Sequence, residues 1–295
     1  MTYLLHILIL VGIYAVLSVS LNLIAGYTGL LSIAHAAFYG VGAYVAALMA
    51  LRLASPFLVN VVCAIVLCGV LGILVAVPSL RIRGDYFVIA TFAFQVITFS
   101  VLNNWAAFTA GPMGLPGIPQ PGVFGVQISS SLGFLVLVGV FCAAVLFVAR
   151  RIVLSPFGRV LKAVREDEVF AQAAGKNTAS CKVLVFVIGA GMAAVAGVMY
   201  AYYISFIDPT SFTVMESIFI LSIVIIGGAG SLWGPVLGAV VLVVLPEVLR
   251  FVGLPSSVAA NIRQILYGGA LVAFMMWRPR GLLGEYSFQS DGARG

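Results

Sequence analysis

The sequence predicts an all-α protein, a polytopic transmembrane helical bundle of about eight to ten spans. Three observations predict it. The chain is 63% hydrophobic and only 8% charged, against roughly 25% charged residues in ordinary soluble domains, so a water-facing globule is excluded. Its apolar runs recur near the ~20 residues that cross a bilayer. Its 32 glycines fit helices packed closely in lipid, where small residues let backbones approach.

Taken in order, the apolar runs cover residues 3–24, 33–51, 57–80, 86–103, 130–149, 183–206, 215–226, 236–250 and 262–277. The first has no basic flank or small-residue cleavage site and reads as a retained helix. The seventh and eighth are short for a crossing, and Gly227-Gly-Ala-Gly-Ser-Leu-Trp-Gly-Pro235 between them is a poor helix continuation. Arg81 and Arg83 follow the third run, a basic insert follows the fifth, and Arg278 and Arg280 follow the last. Counting alternately, the positive-inside rule places all three in the cytoplasm, with the N-terminus outside. Arg52, Arg250 and Arg263 then fall outside, against the rule. The organisation is one transmembrane domain over residues 1–284, with a cytoplasmic loop at 152–182, and a polar tail at 285–295. Residues 105–129 form an external loop dense in Gly and Pro, which predicts a stiff, non-helical surface, either a connector or a docking or gating surface.

The insert at residues 156–182 is the longest polar passage, carrying Arg159, Lys162, Arg165, Lys176 and Lys182 with the acids Glu166, Asp167 and Glu168. Good helix formers from Gly158 to Ala174, stopped by Gly175, predict a short amphipathic helix. Val160, Leu161, Val164 and Ala171 line one face. Such a helix either meets a soluble partner or lies on lipid, and its acids weigh against anionic lipid.

Catalytic, cofactor and metal sites are not expected. His6 and His35 lack zinc-ligand spacing, and Cys63, Cys68, Cys142 and Cys181 read as buried thiols. Glu216 opens the seventh run, where a helix N-terminus favours negative charge. Glu247 and Arg250 stand at pairing distance on one helix face. Acids at mid-membrane depth, expected of an ion-coupled carrier, are scarce. The lone Gly175-Lys176 pair has Phe170 and Asn177 where a phosphate-binding loop needs Gly and Ser/Thr. Any ATPase is therefore a separate polypeptide, and the basic residues sit in short inter-span segments rather than a nucleic-acid surface.

Five segments carry a family resemblance: NLIAGYTGLLSIAHAAFYGVGAY from Asn22, LRIRGDYFVIAT from Leu80, AGPMGLPGIP from Ala110, GRVLKAVREDEVFAQAAG from Gly158 and IGGAGSLWGPVLG from Ile226. Together they resemble the LivM-type permeases of branched-chain amino acid ABC importers, and the RGDY segment favours LivM-type over the LivH-type sister. The resemblance implies a bacterial inner-membrane complex of this chain with a LivH-type permease, two cytoplasmic ABC ATPases and a periplasmic substrate-binding protein. It also implies that the insert is an ATPase coupling loop, with Arg159, Arg165, Glu166, Asp167, Glu168, Ala171, Ala174 and Gly175 as its candidate residues. Relatives carry leucine-type amino acids, urea or short amides, and nothing in this sequence chooses among them. An ion-coupled carrier and a membrane-embedded enzyme are the competing classes.

A translocation route is suggested by two breaks of the same spacing, Gly26-Tyr-Thr-Gly29 and Gly227-Gly-Ala-Gly230. Irregular backbone at membrane depth survives where it lines a cavity or protein, and paired interruptions mark routes in transporters. Asn22, Gly26, Gly29, Ser32 and His35 around the first, and Gly227, Gly230, Ser231 and Trp233 around the second, are the candidates. Ordinary inter-helix turns are the alternative.

Overall fold

A computed structural model describes residues 2–79, 86–123, 126–250, 268–269, 271–272, 276 and 281–284. The described chain is helical almost throughout. The order is α1 (Thr2–Thr28), α2 (His35–Leu53), α3 (Phe57–Ser79), α4 (Tyr86–Asn104), α5 (Ala106–Thr109), α6 (Ser131–Leu154), α7 (Pro156–Glu166), α8 (Glu168–Ala173), α9 (Thr178–Ile204), α10 (Val214–Gly227) and α11 (Gly234–Arg250). Six of them, α1, α2, α3, α4, α6 and α9, are long and apolar enough to cross a membrane; α10 and the apolar part of α11 are shorter. The protein is thus an all-α, multi-pass membrane bundle. The predicted ninth run, Arg81, Arg83, Asp85, Arg278, Arg280 and the tail lie outside the described residues, apart from five positions within the ninth run.

α1, α2 and α9 form the centre and are mostly buried, whereas α3, α4 and α6 expose much of their apolar surface. Glycine and alanine explain how the centre closes. A Cβ on Gly42 of α2 would stand 2.5 Å from the Ala194 carbonyl oxygen of α9, and one on Gly197 of α9 would stand 2.8 Å from the Ala43 nitrogen. The two backbones therefore touch, and with no water to drive helices together in lipid such close packing is what holds them. Phe212 plugs the end of this pair, its ring 5.0 Å from that of Tyr39.

Several buried polar side chains are paired between helices, which offsets the cost of taking them from water, although Tyr39 Oη, Tyr44 Oη and His35 Nδ1 are buried without a partner among the described residues. Asn60 of α3 donates to Tyr202 Oη of α9 at 2.6 Å. Gln95 of α4 donates to the Phe212 carbonyl at 2.8 Å. Ser217 Oγ accepts from the Ala36 amide at 2.9 Å, satisfying one of the orphan N–H groups at the start of α2. Glu216 lies in the first turn of α10, as its position in the sequence predicts, and accepts from Tyr14 Oη at 2.6 Å.

The loop at residues 105–129 sits at one end of α6 and the insert at the other. It is less irregular than its composition predicts. α5 and a 3-10 turn (Gly111–Met113) start it, β1 (Leu115–Pro116) pairs antiparallel with β4 (Phe206–Ile207), and β2 (Gly122–Val123) pairs with β3 (Val126–Gln127). Gly114, at φ +71, permits the β1–β4 contact, because a Cβ there would run into the Ile207 carbonyl. Arg52 at the end of α2 donates to the Ala107 and Phe108 carbonyls at 3.2 and 3.1 Å, which puts that helix end beside this loop.

Candidate functional site

Three caps partition the insert. Ser155 accepts from the Gly158 amide at 3.3 Å and Pro156 follows it, starting α7; Asp167 accepts from the Phe170 amide at 2.9 Å, starting α8; Asn177 accepts from the Ser180 amide at 3.0 Å, starting α9. Short polar side chains before a helix satisfy its orphan N–H groups. The single helix expected over 158–174 is therefore two, broken where Asp167 turns from surface charge into cap, and α9 begins at Thr178, inside the polar stretch.

The buried face of α7 is Gly158, Leu161 and Val164, at a helical spacing of three, with Val160 only half-buried beside it; Ala171 is buried on α8. Gly158 is needed at the α6–α7 corner, where a Cβ would come within 2.5 Å of the Ile152 carbonyl oxygen. Arg159 is exposed. Glu166 is exposed and pairs with Arg165 at 2.7 Å. Glu168 is tied to the start of α9, 2.6 Å from Lys182 Nζ and 3.1 Å from Thr178 Oγ1, with its side chain 40% exposed. Ala174 and Gly175 close α8, Gly175 at φ +77, where a side chain would strain the backbone although space is open. What the sequence reasoning missed is the outward face of α8. Val169 and Phe170 are 75% and 71% exposed. The available signal was two adjacent large apolar residues, Val169 and Phe170, directly after the three acids.

At the same end of the bundle the two glycine breaks meet. Asn22 donates through Nδ2 to the Ser231 carbonyl at 2.8 Å and accepts from the Gly230 amide through Oδ1 at 2.9 Å. α1 does not stop at residue 24 but runs to Thr28, because Gly26 is where the second break packs: a Cβ there would be 2.5 Å from the Gly230 nitrogen. Gly29, at φ +72, follows the helix end. Ser18 Oγ donates to the Pro235 carbonyl at 3.1 Å, and Gly227 lies in the close contact between α10 and the start of α11. Of the other candidates, Ser32 is buried beside the start of α2, and His35 is buried with Nε2 2.8 Å from Ser20 Oγ. Trp233 stands apart, 64% exposed, over an apolar hollow of about 490 Å³ lined with Phe147 and Arg150 of α6. Among the described residues no cluster of His, Cys, Asp or Glu could hold a metal ion.

Residues 3–275 match the family described as the permease component of branched-chain amino acid transport systems. The chain belongs to that family. It is 35% identical to the high-affinity branched-chain amino acid transport system permease protein LivM of Salmonella typhimurium, over 92% of this chain and 68% of that protein. Identity to LivM of Escherichia coli is 34% with the same coverage. The LivH permease of Salmonella typhimurium is 27% identical over 92% of this chain and 91% of its own length, so this permease is LivM-type, as its RGDY segment predicts. No solved structure matches the chain.

Proposed function

We propose that this permease passes branched-chain amino acids across the bacterial inner membrane as one half of a heterodimer with a LivH-type permease, fed by a periplasmic binding protein and driven by two separate ATPases. The observation that carries the reading is the exposed apolar pair Val169 and Phe170 on a helix pinned to the bundle. Such a patch on an anchored polar segment suits a soluble partner that pushes on it. The insert then faces the cytoplasm, following its basic charge, and the loop at residues 105–129 faces the periplasm. Compartment reporters fused at Gly175 and Gly117 are expected to give opposite signals; like signals would reject this orientation.

The meeting of the glycine breaks supports a route beside Asn22, Gly230 and Ser231, where Ser231 is partly exposed. In cells lacking their own system, the assembled complex should take up labelled leucine, with isoleucine in excess competing and urea or acetamide not. In a form without Cys63, Cys68, Cys142 and Cys181, a bulky maleimide on Ser231→Cys should stop that uptake, while one on Val136→Cys, at an exposed position on α6, should not. Competition by urea would transfer the substrate assignment to the amide carriers, and equal uptake after both labellings would reduce the breaks to plain turns.

A further inference from the structure

The insert and the glycine breaks are joined by a continuous set of hydrogen bonds. The Arg165 side chain on α7 is only 8% exposed despite its charge. Its Nη1 donates to the Gly26 carbonyl at 2.8 Å, and its Nη2 and Nε hold Glu166. Gly26 lies in the last turn of α1, where carbonyls have no partner within the helix and the helix dipole is negative. A guanidinium suits both needs, and its planar fork fixes direction as well as distance. One turn back along α1, Asn22 holds the Gly230 amide and the Ser231 carbonyl from both sides. On its other side the same turn is held by the chain near its C-terminal end: Leu282 and Leu283 amides donate to the Ile226 and Gly227 carbonyls at 2.9 and 3.0 Å. The turn between α10 and α11 is thus gripped between α1 and residues 282–283.

We infer that Arg165 and Asn22 are positioning residues that transmit displacement of the coupling helix α7 through the end of α1 to the Gly227–Gly234 turn. Gly26 makes the transmission stiff. Its missing Cβ brings helix and turn into backbone contact, so neither moves without the other. Contiguous contacts of this kind establish a route only when the two ends are energetically coupled, and that coupling is measurable. The inference rests on the reading of α7 and α8 as the element that meets the ATPase.

The test is a double-mutant cycle in the complete complex reconstituted in lipid. The readout is the ratio of ATP hydrolysis with and without leucine-loaded binding protein. Arg165→Gln and Asn22→Leu are each expected to lower that ratio about tenfold, a common size for coupling between sites. The double variant should fall no further, since both substitutions cut one connection. Asn22→Leu strands the Gly230 amide, so Asn22→Asp, which keeps that acceptor and the side-chain shape but loses the donor to Ser231, is run beside it with the same expected fall. A wild-type ratio in Arg165→Gln or Asn22→Asp, or single losses that multiply in the double variant, overturns the inference. So does loss of the ATPases from Arg165→Gln, which would make Arg165 a docking residue. Co-purification of the ATPases with a Phe170→Asp form reports on the docking reading by itself: undiminished recovery rejects that reading, whatever the cycle shows.

Discussion

Gly42→Val is expected to prevent the bundle from assembling. The substitution adds a branched side chain where the α9 backbone already stands 2.5 Å from an ideal Cβ, with the Ala194 Cα at 2.6 Å. Neither obstacle is a flexible side-chain end that could swing aside. α2 and α9 would have to separate along their whole contact, and the reciprocal approach of Gly197 to Tyr39 and Ala43 would open with it. Overpacking a core costs about 1–3 kcal/mol when neighbours can yield; here they are backbone, so about 3 kcal/mol is the lower end, set against a total stability of roughly 5–15 kcal/mol. The matched control is Gly139→Val on α6, where nothing lies within 4 Å of the added Cβ. The expected result is loss of the monodisperse peak in detergent for Gly42→Val and near-parental yield and melting temperature for Gly139→Val. Equal yields would mean that the α2–α9 approach is not what closes the core.

The same contact shows which parts of the fold could be read in advance. Six spans were legible because each is a long apolar run between polar ends, and lipid leaves the backbone no other way to satisfy itself. The end of α1 was not legible. Glycine lowers helix propensity, so Gly26 reads as a break, yet tertiary packing gives it a reason to stay helical that lies in Gly230, far along the chain. The split of the insert was hidden differently. Asp167 sits within a run of three acids that looks like a solvated helix face, and only its bond to the Phe170 amide shows it as a cap. Glu168 resembled a surface charge until Lys182 and Thr178 were placed beside it by the early start of α9. The fold brings the two glycine breaks together at Asn22 and Gly230, a contact that their matched spacing does not specify. Nothing in the sequence said that Arg165 would reach one of them.

Phe170→Asp is expected to release the ATPases while leaving the permease intact. Phe170 is 71% exposed, and its amide, not its ring, serves the α8 cap. Removing the ring therefore costs the fold little, and the aspartate meets water. In a docked complex the ring and its neighbour Val169 would be buried against a protein surface. Large side chains at the centre of such interfaces often contribute about 2 kcal/mol or more each, and a desolvated carboxylate in the same place adds a penalty rather than merely subtracting a contact. A loss of about 2 kcal/mol alone weakens association roughly 30-fold, enough to empty the complex during affinity purification. Glu168→Lys should act in the same direction but less, since it opposes Lys182 and loosens the pin of α8 rather than altering the outward face. The measurement is ATPase recovered per permease, alongside the melting temperature of the permease in detergent. Undiminished recovery with Phe170→Asp would assign the exposed pair to the lipid surface instead, where the same substitution would weaken interfacial anchoring and leave the ATPases bound.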